Sequence, residues 1–247
     1  VKKTYRDQAI VLRTQDLGEA DRIITLFSAN HGKIRAVAKG VRKTKSRHGS
    51  RLEPFSQVDL QLYAGRSLDV ITQSESVNAY HRAIIRNYDL YTAACAVLEL
   101  TDRIAEQPGM PDFAQYLLLH GAIHAFATAA HRPELILYSY MLRTMNYAGW
   151  RLAVGECAVC GEEGPHAAFQ VQLGGSVCDS CRPPGCVFPS AEILGLIAAL
   201  RDGVWKIADA APEPAVKSAG SLIMAYVQWH VEQKVTSLQF VNSKLIS

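Results

Sequence analysis

Lys33-Ile34-Arg35-Ala36-Val37-Ala38-Lys39 alternates polar and apolar residues, and that alternation decides how the first third of the chain is read. Successive side chains of a strand point to opposite faces, so Lys33, Arg35 and Lys39 share one face while Ile34, Ala36 and Ala38 share the other. One face of this strand is therefore cationic. Before it, Arg22-Ile23-Ile24-Thr25-Leu26-Phe27-Ser28 reads as a strand ending in the turn Ala29-Asn30-His31-Gly32, and Gln8-Ala9-Ile10-Val11-Leu12-Arg13 as an earlier one. After it, Val58–Tyr63 and Leu68–Thr72 flank the hairpin signal Ala64-Gly65-Arg66-Ser67. Five strands in about seventy residues predict a small barrel of the OB type, and a five-stranded SH3-like barrel matches the spacing nearly as well.

From Tyr80 the apolar period changes from two to about 3.6. Tyr80 to Glu106 predicts one helix, or two broken near Asn87; Pro111 to Ala130 and Pro133 to Tyr147 predict two more, the latter stopped at Gly149. Ser190 is a cap before a helix to Arg201, and Ala215 to Val235 forms a last amphipathic segment. Gln107-Pro108-Gly109-Met110 and Ala211-Pro212-Glu213-Pro214 read as linkers. The expected class is α+β and multidomain. Residues 1–79 form the barrel and 80–247 an all-α domain, interrupted by a cysteine-rich module at 155–186.

With 49% hydrophobic and 20% charged residues, the composition is that of an ordinary globular protein and excludes a mainly disordered chain. No apolar run has the length of a membrane span, and the start at Val1-Lys2-Lys3 lacks a signal-peptide core, so a cytoplasmic, nucleoid-associated protein without membrane contact is expected. A net charge of +3 is too mild to identify a partner, but its distribution is uneven. Arg22 to Leu52 holds nine cations and no acidic residue. Within it, Arg42, Lys43, Lys45, Arg47 and Arg51 lie on a cationic loop that extends the charged strand face, suited to tracking phosphates without reading bases. A solvated loop with no partner is the plainer reading; continuity with Lys33, Arg35 and Lys39 argues against it. Phe27, Phe55 and Tyr63 lie nearby, as stacking groups or as barrel filling.

Five of the six cysteines fall between Cys157 and Cys186, and in a reducing compartment such clustering favours metal over disulfides. Cys157-Ala158-Val159-Cys160 and Cys178-Asp179-Ser180-Cys181 are separated by seventeen residues, the spacing of a two-knuckle zinc site. Gly161 permits the left-handed backbone of a knuckle turn, and Gly174-Gly175 a chain reversal before the second pair. Four thiolates would close the coordination sphere of one Zn²⁺ and make it structural. A redox pair or core cysteines are the alternatives; Cys186 and His166 are read as bystanders, and Cys95 as core.

His120 and His124 have the i, i+4 spacing of a metal clamp, but no acidic residue completes an H-E-x-x-H pattern. The chain has no phosphate-loop motif, dinucleotide fingerprint or nucleophile elbow, so no catalytic residue is assigned and motors and hydrolases of those types are disfavoured. A zinc-dependent nuclease or other hydrolase and a protein-only scaffold remain as rivals.

Leu17-Gly18-Glu19-Ala20-Asp21-Arg22-Ile23-Ile24-Thr25-Leu26-Phe27-Ser28, followed by His31-Gly32-Lys33 and Ala36-Val37-Ala38-Lys39-Gly40-Val41-Arg42-Lys43, is similar to the N-terminal signature of the RecO family. The helices and cysteine pairs follow in the family's order, and Arg51-Leu52-Glu53-Pro54-Phe55 and Cys181-Arg182-Pro183 resemble actinobacterial members above all. The resemblance implies an OB-fold domain, a helical domain carrying a zinc finger, and a non-enzymatic mediator of recombinational repair. It also implies binding of single- and double-stranded DNA, annealing without ATP, contact with the acidic tail of single-stranded-DNA-binding protein, and loading of RecA together with RecR, with a link to RecF. The family's DNA-binding strand positions fall at Arg35 and Lys39, and its zinc ligands at Cys157, Cys160, Cys178 and Cys181. Some members lack those cysteines, which implies that the metal supports local structure.

Overall fold

Strand β1 (Thr4–Leu17) pairs antiparallel with two neighbours at once: with β4 (Gln57–Tyr63) over Thr4 to Ile10, and with β2 (Asp21–Ser28) over Ala9 to Leu17. A register shift between Val11 and Arg13 lets the strand bend from one partner to the other. β3 (Gly32–Ala38) follows β2, and β5 (Asp69–Asn78) lies between β3 and β4, parallel to β3 with Ala36 opposite Asp69. The order β1-β2-β3-β5-β4 closes into a barrel, OB-like and not SH3-like, which settles the choice that strand spacing left open. This computed structural model describes residues 4–44, 46, 48–105 and 110–231.

Ile34, Ala36 and Ala38 turn into the barrel beside Ile24, Leu26, Leu60 and Leu62, while Lys33 and Arg35 face out, as the alternation predicts. β1 and β5 run longer than expected because their ends, Thr4-Tyr5-Arg6, Thr14 to Leu17 and Gln73 to Asn78, carry little apolar signal yet continue the backbone ladder. Ala9 to Leu12 is buried without alternation: Ala9 and Val11 fill the barrel, and the helix at Tyr88–Ile104 covers the other side of β1. The cationic loop is pinned by the buried residues Val41, His48 and Leu52, with a short 3-10 turn at Gly49–Leu52. Lys45 and Arg47 lie outside the described residues.

Of the two alternatives for Tyr80 to Glu106, the structure shows two helices broken near Asn87. Helix α1 (His81–Ile84) ends before it, and the Asn87 side chain accepts the N–H groups of Asp89 and Leu90 to cap α2 (Tyr88–Ile104). Asp112 caps α3 (Phe113–Thr128) in the same way, through the N–H of Gln115. The strand-to-helix change near residue 80 is separate from the division into compact units, of which one ends at Ala130 and the other begins at His131. The first therefore keeps α1 to α3 with the barrel.

In the second unit α4 (Pro133–Tyr147), α5 (Ala191–Asp202) and α7 (Glu213–His230) pack against one another, with α6 (Trp205–Ala210) beside α5. Ser190 caps α5 through the N–H of Ile193. The sequence reading missed α6, whose six residues are too few to show a period. Of Ala211-Pro212-Glu213-Pro214, expected to be a linker, Ala211 and Pro212 join α6 to α7 and Glu213 and Pro214 open α7, because proline is tolerated in a first turn, where its missing N–H has no helical partner anyway. Among the described residues no helix is long and apolar enough to cross a membrane.

Two side-chain sites carry much of this geometry. The Asp7 carboxylate, fully shielded from solvent, accepts the backbone N–H of Asn30 at 3.1 Å and its amide at 2.8 Å, and meets His31 Nδ1 at 2.7 Å, so it shapes the turn that launches β3. Burial pushes this carboxyl up, but the hydrogen bonds from His31 and Asn30 outweigh it and hold it below the usual range. In the second unit, a β-carbon on Gly220 of α7 would stand 2.3 Å from the Tyr138 hydroxyl of α4. Gly220→Ala should therefore cost about 1–3 kcal/mol by overpacking, read from urea midpoints. Asp7→Ala should cost about 1–3 kcal/mol at neutral pH by leaving buried donors unpaired. Because the folded carboxyl is the more acidic, its stabilisation is complete above about pH 4 and is lost as pH falls towards the folded-state value. The variant's acid unfolding limb should be correspondingly flatter.

Candidate nucleic-acid interface and metal centre

The outward face of β3 does not present its cations equally. Lys33 Nζ lies 2.5 Å from the Asp102 carboxylate and donates to the Asp102 carbonyl at 2.6 Å, so α2 holds its charge. Arg13 meets the same carboxylate at 3.5 Å. Arg42 reaches Asp16 at 3.4 Å and the Gly18 carbonyl at 3.2 Å, while Arg51 donates to the Ser74 carbonyl at 3.0 Å. Arg35, Lys39 and Lys43 are exposed and, among the described residues, have no carboxylate partner. They are the free positive charges of the region, and with no acidic side chain to displace they can meet an anion directly.

Of the three aromatics noted near this strand, Phe27 and Phe55 are buried and Tyr63, at the end of β4, is 40% exposed. Only Tyr63 is placed to stack on a base. Arg66, exposed in the turn before β5, is a cation that sequence reasoning passed over as part of a hairpin signal; β5 enters the sheet beside Ala36 of β3. The signal was available, since Arg66 is the one charged residue of its turn. Lys33's engagement gave no such signal, because Asp102 is 69 residues away.

The cysteine module is built on a small hairpin, β6 (Ala168–Gln170) with β7 (Gly175–Val177), reversed at Gly174 as the glycine pair predicts. The first knuckle closes with the Gly161 N–H on the Cys157 carbonyl and φ +78° at Gly161; the second with the Cys181 N–H on the Cys178 carbonyl. These turns bring the sulfurs of Cys157, Cys160, Cys178 and Cys181 within 4.8 Å of one another, with Cys160 and Cys178 3.8 Å apart. A tetrahedral ion with metal–sulfur bonds of about 2.3 Å requires sulfur–sulfur edges of about 3.8 Å, so the four side chains fit a metal. Cys186 turns its thiol to the Pro183 carbonyl and His166 bonds to Glu162, so both stand outside the set.

The backbone N–H groups of Cys160 and Cys178 donate to the Cys157 sulfur and hold its thiol down to about 6, whereas burial pushes Cys178 up to about 12. One thiolate forms readily and the next is opposed, which is the situation a bound cation relieves. Among the described residues this is the one cluster of three or more metal-ligating side chains. His120 and His124 instead share the Tyr80 hydroxyl, at 3.2 and 3.3 Å.

Comparison with known proteins agrees with this architecture. Residues 2–80 match the family model for the Recombination protein O N terminal, and residues 85–239 that for the Recombination protein O C terminal. The DNA repair protein RecO of Thermobifida fusca (strain YX) is 48% identical over 238 residues, covering 96% of this chain and 98% of that protein. An OB-like barrel with a cationic strand, a four-cysteine cluster in a helical region and full-length similarity together show that the chain belongs to the RecO family of DNA repair proteins.

Proposed function

We propose that this chain is a cytoplasmic, non-enzymatic mediator that binds single- and double-stranded DNA and anneals complementary strands without ATP. Its partners would be RecR and single-stranded-DNA-binding protein, and its result the loading of RecA, with a link to RecF. The observation that carries the reading is the exposure of Arg35 and Lys39, free of carboxylates, at one side of an OB-like barrel in a RecO-family chain. Lys43 extends that row. Lys33, Arg42 and Arg51 would join by exchanging their present partners for phosphates, and Lys45 and Arg47 complete the set by sequence. Phosphates of two strands held against one cationic face repel each other less, so pairing needs no nucleotide hydrolysis. In this reading residues 1–79 are the DNA-binding domain and 80–247 the helical domain around the module at 155–186.

The four cysteines would hold one structural Zn²⁺, since four sulfur ligands leave no position for a reacting water. Cys157, Cys160, Cys178 and Cys181 would bind it, and the ion would supply local stability and no chemistry on DNA.

Strand annealing of complementary oligonucleotides over a salt series tests the first part. Arg35→Glu/Lys39→Glu should abolish annealing, and the loss of two phosphate contacts should reduce the salt-dependence slope of duplex binding by about 1.8. Parent-like affinity in the folded variant would refute the site. For the metal, the purified protein should carry one zinc per chain by mass spectrometry. Cys157→Ser/Cys160→Ser should lose the ion and melt earlier while retaining annealing at low temperature. Shortening of the strands, abolished by chelator, would instead favour a nuclease.

A further inference from the structure

An open hollow of about 100 Å³ lies at the C-terminal end of α4, lined by Arg143, Asn146, Tyr147, Arg151, Arg201 and Asp202. Three guanidinium groups and one carboxylate line it. Arg201 grips Asp202 with bonds of 2.8 and 2.9 Å and donates to the Leu152 carbonyl at 3.2 Å, so it is compensated and fixed. Arg151 is paired outward, at 2.5 Å from Glu156. Arg143 is half-buried and has no hydrogen bond or carboxylate partner among the described residues; its guanidinium lies beside the turn at Gly203 that ends α5. A half-buried guanidinium left unpaired beside two paired ones leaves the hollow one positive charge in excess, with the Asn146 amide and Tyr147 hydroxyl as neutral donors at its rim.

The surroundings specify which anion fits. Tyr147 is 48% exposed, and Trp150, next in the chain to Arg151, is 41% exposed with its ring beside His230. Tyr147, the aromatic that lines the hollow, supplies with Arg143 the elements of a stacking platform, in which a base lies on a ring while a cation holds the adjoining phosphate. One excess charge matches a phosphodiester, which is a monoanion. The extended acidic segment of a protein would need several free cations, and here two of the three are already engaged.

We infer that this hollow, with Tyr147 in its wall, is a second contact site for single-stranded nucleic acid, in which Arg143 binds a backbone phosphate and Tyr147 stacks on a base. The inference rests on the DNA-handling reading above and deepens it. A protein that anneals must hold an unpaired strand as well as the phosphates of a paired one. Stacking needs exposed bases, so this site selects single strands, whereas the cationic face of β3 is indifferent to strandedness.

Photocrosslinking the intact protein to an oligonucleotide carrying 5-bromodeoxyuridine, with the adduct mapped by mass spectrometry, tests this without altering the fold. Adducts should fall between Tyr147 and Arg151. In parallel, Arg143→Gln and Tyr147→Leu, each checked by thermal melting, should weaken oligothymidine binding about tenfold while leaving duplex binding at the parent level. Arg35→Glu/Lys39→Glu should weaken both. Adducts confined to the barrel, with parent-like oligothymidine affinity in both hollow variants, would overturn the second site and leave the proposed function standing. Parent-like binding in all three variants would remove both. If the hollow variants kept oligothymidine binding but lost affinity for a synthetic acidic peptide with a free C-terminal carboxylate, the hollow would be a peptide site and this inference wrong.

Discussion

Closure of the barrel rests on the double pairing of β1, and the cationic surface depends on that closure. Backbone groups of residues 4–10 bond to β4 and those of residues 9–17 to β2, with a bulge between Val11 and Arg13 taking up the change of direction. Once β1 is shared, the inward row of each strand has one place to go. Ile34, Ala36 and Ala38 become interior, each large aliphatic neighbour contributing about 1.5–3 kcal/mol by leaving water. Arg35 is then forced outward, and a register slip of one residue would bury a guanidinium, so the apolar row that stabilises the barrel also aims the charge.

Electrostatics on that surface is a matter of which cations are released as well as how many are present. Asp102 of α2 sits between Lys33 and Arg13, and Asp16 between Arg22 and Arg42. Partly exposed pairs of this kind contribute about 0–1 kcal/mol to stability, so they hold a protein together weakly, but they decide which cations are left uncompensated. Among the described residues of this strand and loop, Arg35, Lys39 and Lys43 have no carboxylate partner. In the second unit the same rule separates Arg143 from Arg151 and Arg201, which are tied to Glu156 and Asp202.

The cysteine module shows what sulfur does where hydrophobic area is scarce. Its buried cluster consists of Cys157, Ala168, Val177 and Cys178, too little apolar surface for so short a segment to fold on its own. Two knuckles and a three-residue hairpin bring four sulfurs together, and burial opposes ionisation of Cys178, so a bound cation is the support this segment offers a place for. A metal held there would act as a staple for the module.

Local patterns in the chain determined the strands of the barrel, the alternation on β3, the helix break near Asn87, the cap at Ser190, and the knuckle spacing of Cys157, Cys160, Cys178 and Cys181. Each is a short-range relation among neighbours, set by strand pleat, by orphan N–H groups or by turn geometry. Ends of strands were illegible because backbone pairing continues where apolar signal stops, and α6 because one turn and a half has no period. Tertiary structure alone decided that the barrel is OB-like, that Lys33 is bound to Asp102, and that Arg143, Arg151 and Arg201 meet at one hollow. Charge pairing is a relation between residues far apart in the chain, and no reading of neighbours can say which cations will be spent on carboxylates and which left for phosphate.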